Sequence, residues 1–328
     1  MTKNGIGPLF MDPDPDKARA FFKNKSRALT DKVMSVKDAV SQFVTDGCYL
    51  ASGGFGADRI STAALHEILR QKKKNLGFAG HTATHDFQIL AAGNRGGHKL
   101  LARIDTAYVV GLEARGLSPQ ARRVMESGEV EVCEWSNYTL ACRLHAAAMG
   151  IPFIATRNML GTDTFYYSSA KEIICPFTNK KLAALPALYP DAALIHVHES
   201  DCYGNCRIKG IAVADLELAR ASKRVIVTAE RIISNDEIRK HPESTLIPSL
   251  CVDAVCQVRY GSYPGNMAGE YYSDEEHLAQ WLKVEKDEAQ LDAFLDKYIY
   301  GVDDFESYLE LCGGDERMEE LRKQELLV

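Results

Sequence analysis

Three glycines fall within four positions of the stretch DGCYLASGGFGADRIS (46–61), at Gly53, Gly54 and Gly56, and an Asp58-Arg59 pair follows them. Glycine lets the main chain pass close to another group, and a strand–turn–helix junction turns backbone N–H groups towards an anion. A carboxylate, a phosphate or the oxyanion of an attacked thioester suits such a turn. The plainer reading is a tight turn that needs positive φ. The guanidinium fork of Arg59 fits a substrate carboxylate in bidentate fashion. It fits equally a salt bridge near Asp58, or a contact with a partner subunit.

A dinucleotide site is disfavoured. Gly54 and Gly56 match the first two glycines of G-x-G-x-x-G, but Arg59 stands at the third. The chain has no G-x-x-x-x-G-K-[ST], no G-x-S-x-G and no H-E-x-x-H. Two histidine pairs, His81 with His85 and His196 with His198, each offer two metal ligands, with Asp86 or Asp201 as a third. Local hydrogen bonding is the simpler use for both pairs. Cys202 and Cys206 lack the second pair that a structural zinc needs, so no metal site is expected.

Composition narrows the class. The 328 residues are 46% hydrophobic and 26% charged, as in a soluble globular protein, and the net charge of −6 argues against a nucleic-acid surface. No apolar run reaches the roughly 18–20 residues that span a bilayer, so no membrane partner is expected. The first residues show no apolar segment with a small-residue cleavage site, so a signal peptide is not expected. Nine scattered cysteines fit no closed disulfide framework and point to a reducing cytoplasm.

The elements that must position these residues alternate. Ser35 and Asp38 predict a helix start, with Gly47 closing that helix. Residues 48–52 read as a strand, and Ser61 or Thr62 caps a helix to about Gln71 with Leu65, Ile68 and Leu69 inward. NLGFAG, IDTAYVVG, VEVCE, IPFIAT, AALIHVH, RVIVTA and VDAVCQV read as further strands. SPQARRVMES, with Ser118, Pro119 and Gly128, and YTLACRLHAAAMG read as helices. The pattern predicts an α/β fold with an open, largely parallel sheet flanked by helices. We divide it into an arm (1–31), an α/β domain (32–274) and an acidic helical extension (275–328).

DGCYLASGGFGADRIS also resembles the signature of family I CoA-transferase A subunits, in which Asp-Gly precedes an apolar strand and G-G-F-G. The G-x-P that follows in many members is missing, and Asp58-Arg59 looks like the glutaconate CoA-transferase branch. The resemblance runs in order through LHEILRQ, SGEVEVCEWSNYTLACRLHAAAMGIPF, SDCYGNCRIKG, VTAERIISNDEIRK and IPSLCVDAVCQVRYGSYPG, about residues 33–270.

The resemblance implies ping-pong transfer of CoA between carboxylic acids through a glutamyl-CoA thioester. The nucleophilic glutamate is then expected on a partner B subunit, with a coenzyme A thioester as substrate and no permanently bound cofactor. It also implies a site at the subunit interface, with Gly53, Gly54, Phe55, Gly56 and Arg59 lining it. Gly261, in YGSYPG, either lines the pocket or lies in a plain loop. Asn137 matches an amide, usually that of a glutamine, which polarises the thioester carbonyl, or else it caps the helix after it. Glu113 and Glu134 are the carboxylates that a hydrolase or decarboxylase on the same two-chain scaffold would recruit. A non-catalytic ligand-binding or isomerase-like domain is the reading from another class.

Overall fold

The structure, a computed structural model, describes residues 4–109 and 116–326. Eleven strands are found among them: β1 (Tyr49–Ser52), β2 (Leu76–Gly80), β3 (Leu101–Thr106), β4 (Glu131–Glu134), β5 (Phe153–Thr156), β6 (Lys171–Ile174), β7 (Lys181–Pro186), β8 (Ala192–Ser200), β9 (Cys206–Arg207), β10 (Arg224–Ile232) and β11 (Ala254–Gln257). Seven form one sheet in the order β11-β10-β8-β1-β2-β3-β4 with every neighbouring pair parallel, and β9 adds antiparallel to β8. Parallel neighbours require crossovers, and helices supply them on both faces. The sheet strands are accordingly apolar and buried on both sides.

Strand alternation divides the core. Leu50, Phe78, Ile104 and Leu194 face one apolar cluster, and Tyr49, Ala51, Ala79 and Ile195 face the other. From β1 the chain works outward through β2, β3 and β4. Later it returns to the other side of β1 with β8, β10 and β11. The order therefore reverses between β1 and β8, where open parallel sheets leave a crevice at their carboxyl ends. The glycine turn follows β1 at that point.

The expected parallel sheet is present, with local differences. IPFIAT does not join it: β5 pairs antiparallel with β7 in a separate β5-β7-β6 sheet. The strand expected over 104–111 begins and ends earlier, at Leu101–Thr106, and its last two positions lie outside the described residues. The first of the helices flanking the sheet ends at Phe43 with Val44 as its cap. Gly47 does not close it, and instead turns the chain into β1 at φ +77°. Ser61 precedes the helix Thr62–Arg70 without a side-chain cap bond. Thr62 Oγ1 donates instead to Ser262 O at 3.0 Å.

Both chain ends pack against this frame. Gly5 N–H and Gly7 N–H donate to Ala170 O and Ser168 O, and a Cβ at Gly5 would lie 2.0 Å from Ser168 O. At the other end, Trp281, Phe294, Phe305, Tyr308 and Met318 enter the same core as Leu50 and Phe78. Two histidines sit in this packing. His66 is fully buried against the Phe305 and Tyr308 rings, and His277 Nε2 meets Tyr308 Oη at 3.0 Å.

Burial pulls His66 well below the ordinary imidazole range and His277 down to about 4, against the attraction of Asp274. Folding thus requires His277 uncharged. Its contribution is complete above its unfolded value of about 6.5 and is lost as pH falls from there towards 4, amounting to about 3 kcal/mol. Denaturant melts between pH 7 and 4 should lose stability on this slope, and His277→Leu should make it shallower, with His66 leaving a residual dependence of the same sign.

Candidate functional site

The glycine turn is built for closeness inside the chain. Gly53 N–H donates to Leu194 O at 2.9 Å, and Gly54 N–H donates to Asp215 Oδ1 at 3.0 Å. A Cβ at Gly53 would stand 2.5 Å from the same carboxylate oxygen. Gly54 and Gly56 have φ of +85° and +65°, the left-handed region that glycine tolerates. Phe55 and Asp58 exchange both main-chain hydrogen bonds at 3.0 Å and close the turn. The N–H groups of Gly53, Gly54 and Phe55, expected to face an anion, are therefore taken up within the chain.

Arg59 is also turned inward, as in the salt-bridge alternative of its expected uses. It is 0% exposed, at φ +58°, and its fork lies on Asp215 with N···O distances of 3.2 and 3.0 Å. It donates further to Ile211 O and His196 O. Asp58 accepts from Asn266 Nδ2 at 3.0 Å and Ala268 N–H at 3.2 Å, and burial raises its carboxyl against the pull of Arg59. Asp215 and Asn266 lie 156 and 207 positions beyond Arg59 in the chain, and sequence reasoning had no pattern by which to find them.

The next strand delivers His81 beside this turn. The His81 ring lies 6.1 Å from the Phe55 ring, and Phe55 keeps 36% of its surface exposed. His81 Nδ1 meets Thr82 Oγ1 at 3.1 Å. Burial lowers its basicity, against the attraction of Asp215. Thr84 Oγ1 donates to Gly56 O at 2.6 Å, fixing the loop to the turn. Beneath, Asp86 accepts from Thr84 N–H and Phe87 N–H, and burial pushes its carboxyl up to about 6. His85 diverges from His81 and meets the Trp281 ring edge-on at 4.7 Å. No group of three or more His, Cys, Asp or Glu suited to a metal occurs among the described residues.

Asn137 arrives from the end of β4, as the first residue of the helix Asn137–Met149. It does not cap that helix. Ser136 does, accepting from Thr139 N–H while Thr139 Oγ1 accepts from Ser136 N–H. Of the two uses expected for Asn137, the cap is thereby removed. Its Oδ1 is shielded from solvent and has no hydrogen-bond partner among the described residues. Glu134, the last residue of β4, is half-buried, and burial together with Asp163 raises its carboxyl. Glu113 lies outside the described residues.

Gly261 lies in a loop, the second of its two expected uses. The loop 260–265 is packed inward: Gly261 N–H donates to Glu230 Oε1, and a Cβ there would lie 2.7 Å from His196 Cε1. His196 joins Thr228 Oγ1 and Glu230 Oε1 at 2.8 Å each, while His198 bonds Ala268 O and Lys209 N–H. Asp201 closes the turn after β8 by accepting from Tyr203 N–H and Asn205 N–H. Cavities of about 720 and 620 Å³ lie elsewhere, between the helix Thr62–Arg70 and the C-terminal helices, and neither touches the glycine turn or Asn137. At the carboxyl edge the Phe55 and His81 rings and the Thr82 hydroxyl stand together, and Asn137 opens the helix that follows β4.

The chain is similar to known proteins over most of its length. A family model described as Coenzyme A transferase matches residues 33–257. The chain is 34% identical over 299 residues to the A chain of glutaconate CoA-transferase from Acidaminococcus fermentans, covering 86% of this chain and 92% of that protein. The crystal structure of glutaconate coenzyme A-transferase from the same organism superposes with a TM-score of 0.84 at 31% identity, over 89% of this chain and 95% of that one. A variant of the decarboxylase AibA/AibB superposes with a TM-score of 0.72 at 32% identity, over 82% and 99% of the two chains.

Removing Asp215 leaves a buried guanidinium without its counter-charge. Asp215→Ala should cost about 3–5 kcal/mol in denaturant unfolding, and Arg59→Met/Asp215→Leu should recover most of that loss. A loss below about 1 kcal/mol in Asp215→Ala would mean that the turn does not depend on the pair.

Proposed function

The chain belongs to the coenzyme A transferase family, and on that premise we propose that it is the A-type subunit of a two-chain acyl-CoA:carboxylate CoA-transferase, working in the cytoplasm. Its partner, a B-type subunit, supplies the glutamate that carries the acyl group as an anhydride and then CoA as a thioester. Each half-reaction passes through an oxyanion on the attacked carbonyl, and the energetic demand falls on whatever faces that oxygen.

One observation carries this reading. Around the glycine turn, Asp58, Asp86 and Asp215 are each committed to bonds within the chain, whereas the Asn137 amide has an unpartnered oxygen and no capping duty. The donor of that amide is Nδ2, which suits an oxyanion, and an amide cannot act as the covalent nucleophile. We assign the nucleophile to the other chain. In this reading Asn137 Nδ2 is the group that donates to the carbonyl oxygen.

A second reading has its own observation. Glu134 is half-buried with a raised carboxyl near Asp163, and one structural relative is a decarboxylase. A general base there would turn the same scaffold to hydrolysis or decarboxylation.

The kinetic test uses the chain together with a B-type partner, an acyl-CoA and a labelled acceptor acid. CoA should reach the acceptor with ping-pong kinetics, and neither chain should be active alone. Asn137→Ala should lower kcat about 100-fold, the scale of one lost oxyanion donor, with KM little changed. CoA or CO₂ released at full rate without any acceptor would replace transfer with the second reading.

A further inference from the structure

Between β6 and β7 the chain turns back through CPFTNKK (175–181), and main-chain bonds brace the turn. Cys175 N–H donates to Lys180 O at 2.8 Å, and Asn179 N–H donates to Cys175 O at 2.9 Å. Ile174 stands opposite Lys181 in the register, and Pro176 restricts the backbone further. At the tip Phe177 keeps 93% of its surface exposed, and Ile174 keeps 45%. Lys171 and Lys180 are exposed on the same hairpin, and Lys181 adds a third cation, paired with Glu172 at 2.9 Å. An aromatic ring held out on a braced turn loses little freedom when something covers it.

A cavity of the opposite character lies on the same molecule. It measures about 620 Å³, beside the helix Thr62–Arg70, and has Val258, Phe305, Leu309 and Met318 among its walls. Its lining carries six carboxylates and three cations. Glu67 and Asp315 answer Arg70 and Arg259, and Asp304 accepts from Ser307 N–H and Oγ. Asp303, Glu306 and Glu310 are exposed and form no ion pair among the described residues, against one unpaired cation, Lys37.

We propose that the hairpin docks into this cavity on a second copy of the chain. Phe177 is the apolar anchor, and Lys171 and Lys180 meet Asp303, Glu306 and Glu310. An aromatic anchor in a pocket, ringed by complementary charge, gives an interface both its energy and its choice of partner. The hairpin does not serve its own chain. Ala183 and Leu185 of β7 pack in the cluster on one face of the large sheet, whereas Ala63, Phe305 and Met318 pack in the cluster on the other. With the two patches on opposite faces, two copies do not exchange them reciprocally. The contact is head-to-tail, each copy giving its hairpin to one neighbour and receiving another's, and it extends until a ring closes. Neither patch includes the glycine turn or Asn137, and the inference does not rest on the proposed activity.

Sedimentation of the full chain, from low micromolar to submillimolar concentration, tests it. The chain should associate beyond a dimer as concentration rises and fall back towards monomer in high salt. Phe177→Ser, at a position too exposed to carry folding, should weaken association about 30-fold, the scale of one lost hot-spot residue. Glu306→Lys/Glu310→Lys should weaken it as well. Mixing the two variants is the sharper measurement, because one keeps the cavity and the other keeps the hairpin. The mixture should form a 1:1 dimer that grows no further. A wild type that stays monomeric or stops at a dimer, an association that ignores either variant, or a mixture that stays monomeric overturns the proposal.

Discussion

The Arg59–Asp215 ion pair lies in the protein interior with both side chains essentially closed to water. Removing two charges from water costs several kcal/mol each, and their attraction recovers that only with good geometry and further hydrogen bonds. Here the geometry is bidentate, and Asp215 accepts from Gly54 N–H as well. One carboxylate therefore fixes the turn at its glycine and, five residues on, at its arginine. Gly53 has no room for a side chain because that carboxylate stands where a Cβ would be. Holding Arg59 at φ +58° is unfavourable for a residue with a side chain, and the pair holds it there.

A second buried pair sets the other side of the cleft. Arg143 Nη1 donates to Asp105 Oδ1 at 2.7 Å, and its guanidinium lies 4.1 Å from the centre of the Trp135 ring. Arg143 Nε also donates to Pro186 O at 3.0 Å. The helix that begins at Asn137 is thus anchored to β3, to the end of β4 and to the small antiparallel sheet. Between the two anchored bodies lies the His81 loop.

Much of this was legible in residues close together in sequence. Serines at 35 and 118 mark helix starts because a short side-chain oxygen meets free N–H groups there, and each is observed as an N-cap. Short apolar runs between helix and turn signals located the strands of the parallel sheet, and the family motif located its A-type character. IPFIAT shows the limit: its composition fits a parallel strand, but pairing with β7 depends on a hairpin whose strands gave no comparable signal. Arg59 shows the same limit for the site. Its neighbours in sequence suggest a free fork at a glycine turn, and its partner lies beyond β8. Asn137 reads as a cap until the Ser136–Thr139 bonds are seen.

The central claim is that this chain provides a pocket and another chain provides the nucleophile. Incubating the chain–partner complex with acyl-CoA, digesting it and weighing the peptides tests that claim most directly. The expected mass increase, that of a CoA thioester, falls on a glutamate of the B-type chain, and every peptide of this chain keeps its unmodified mass. A CoA adduct on this chain, or steady acyl-CoA turnover with no adduct on either chain, would contradict it.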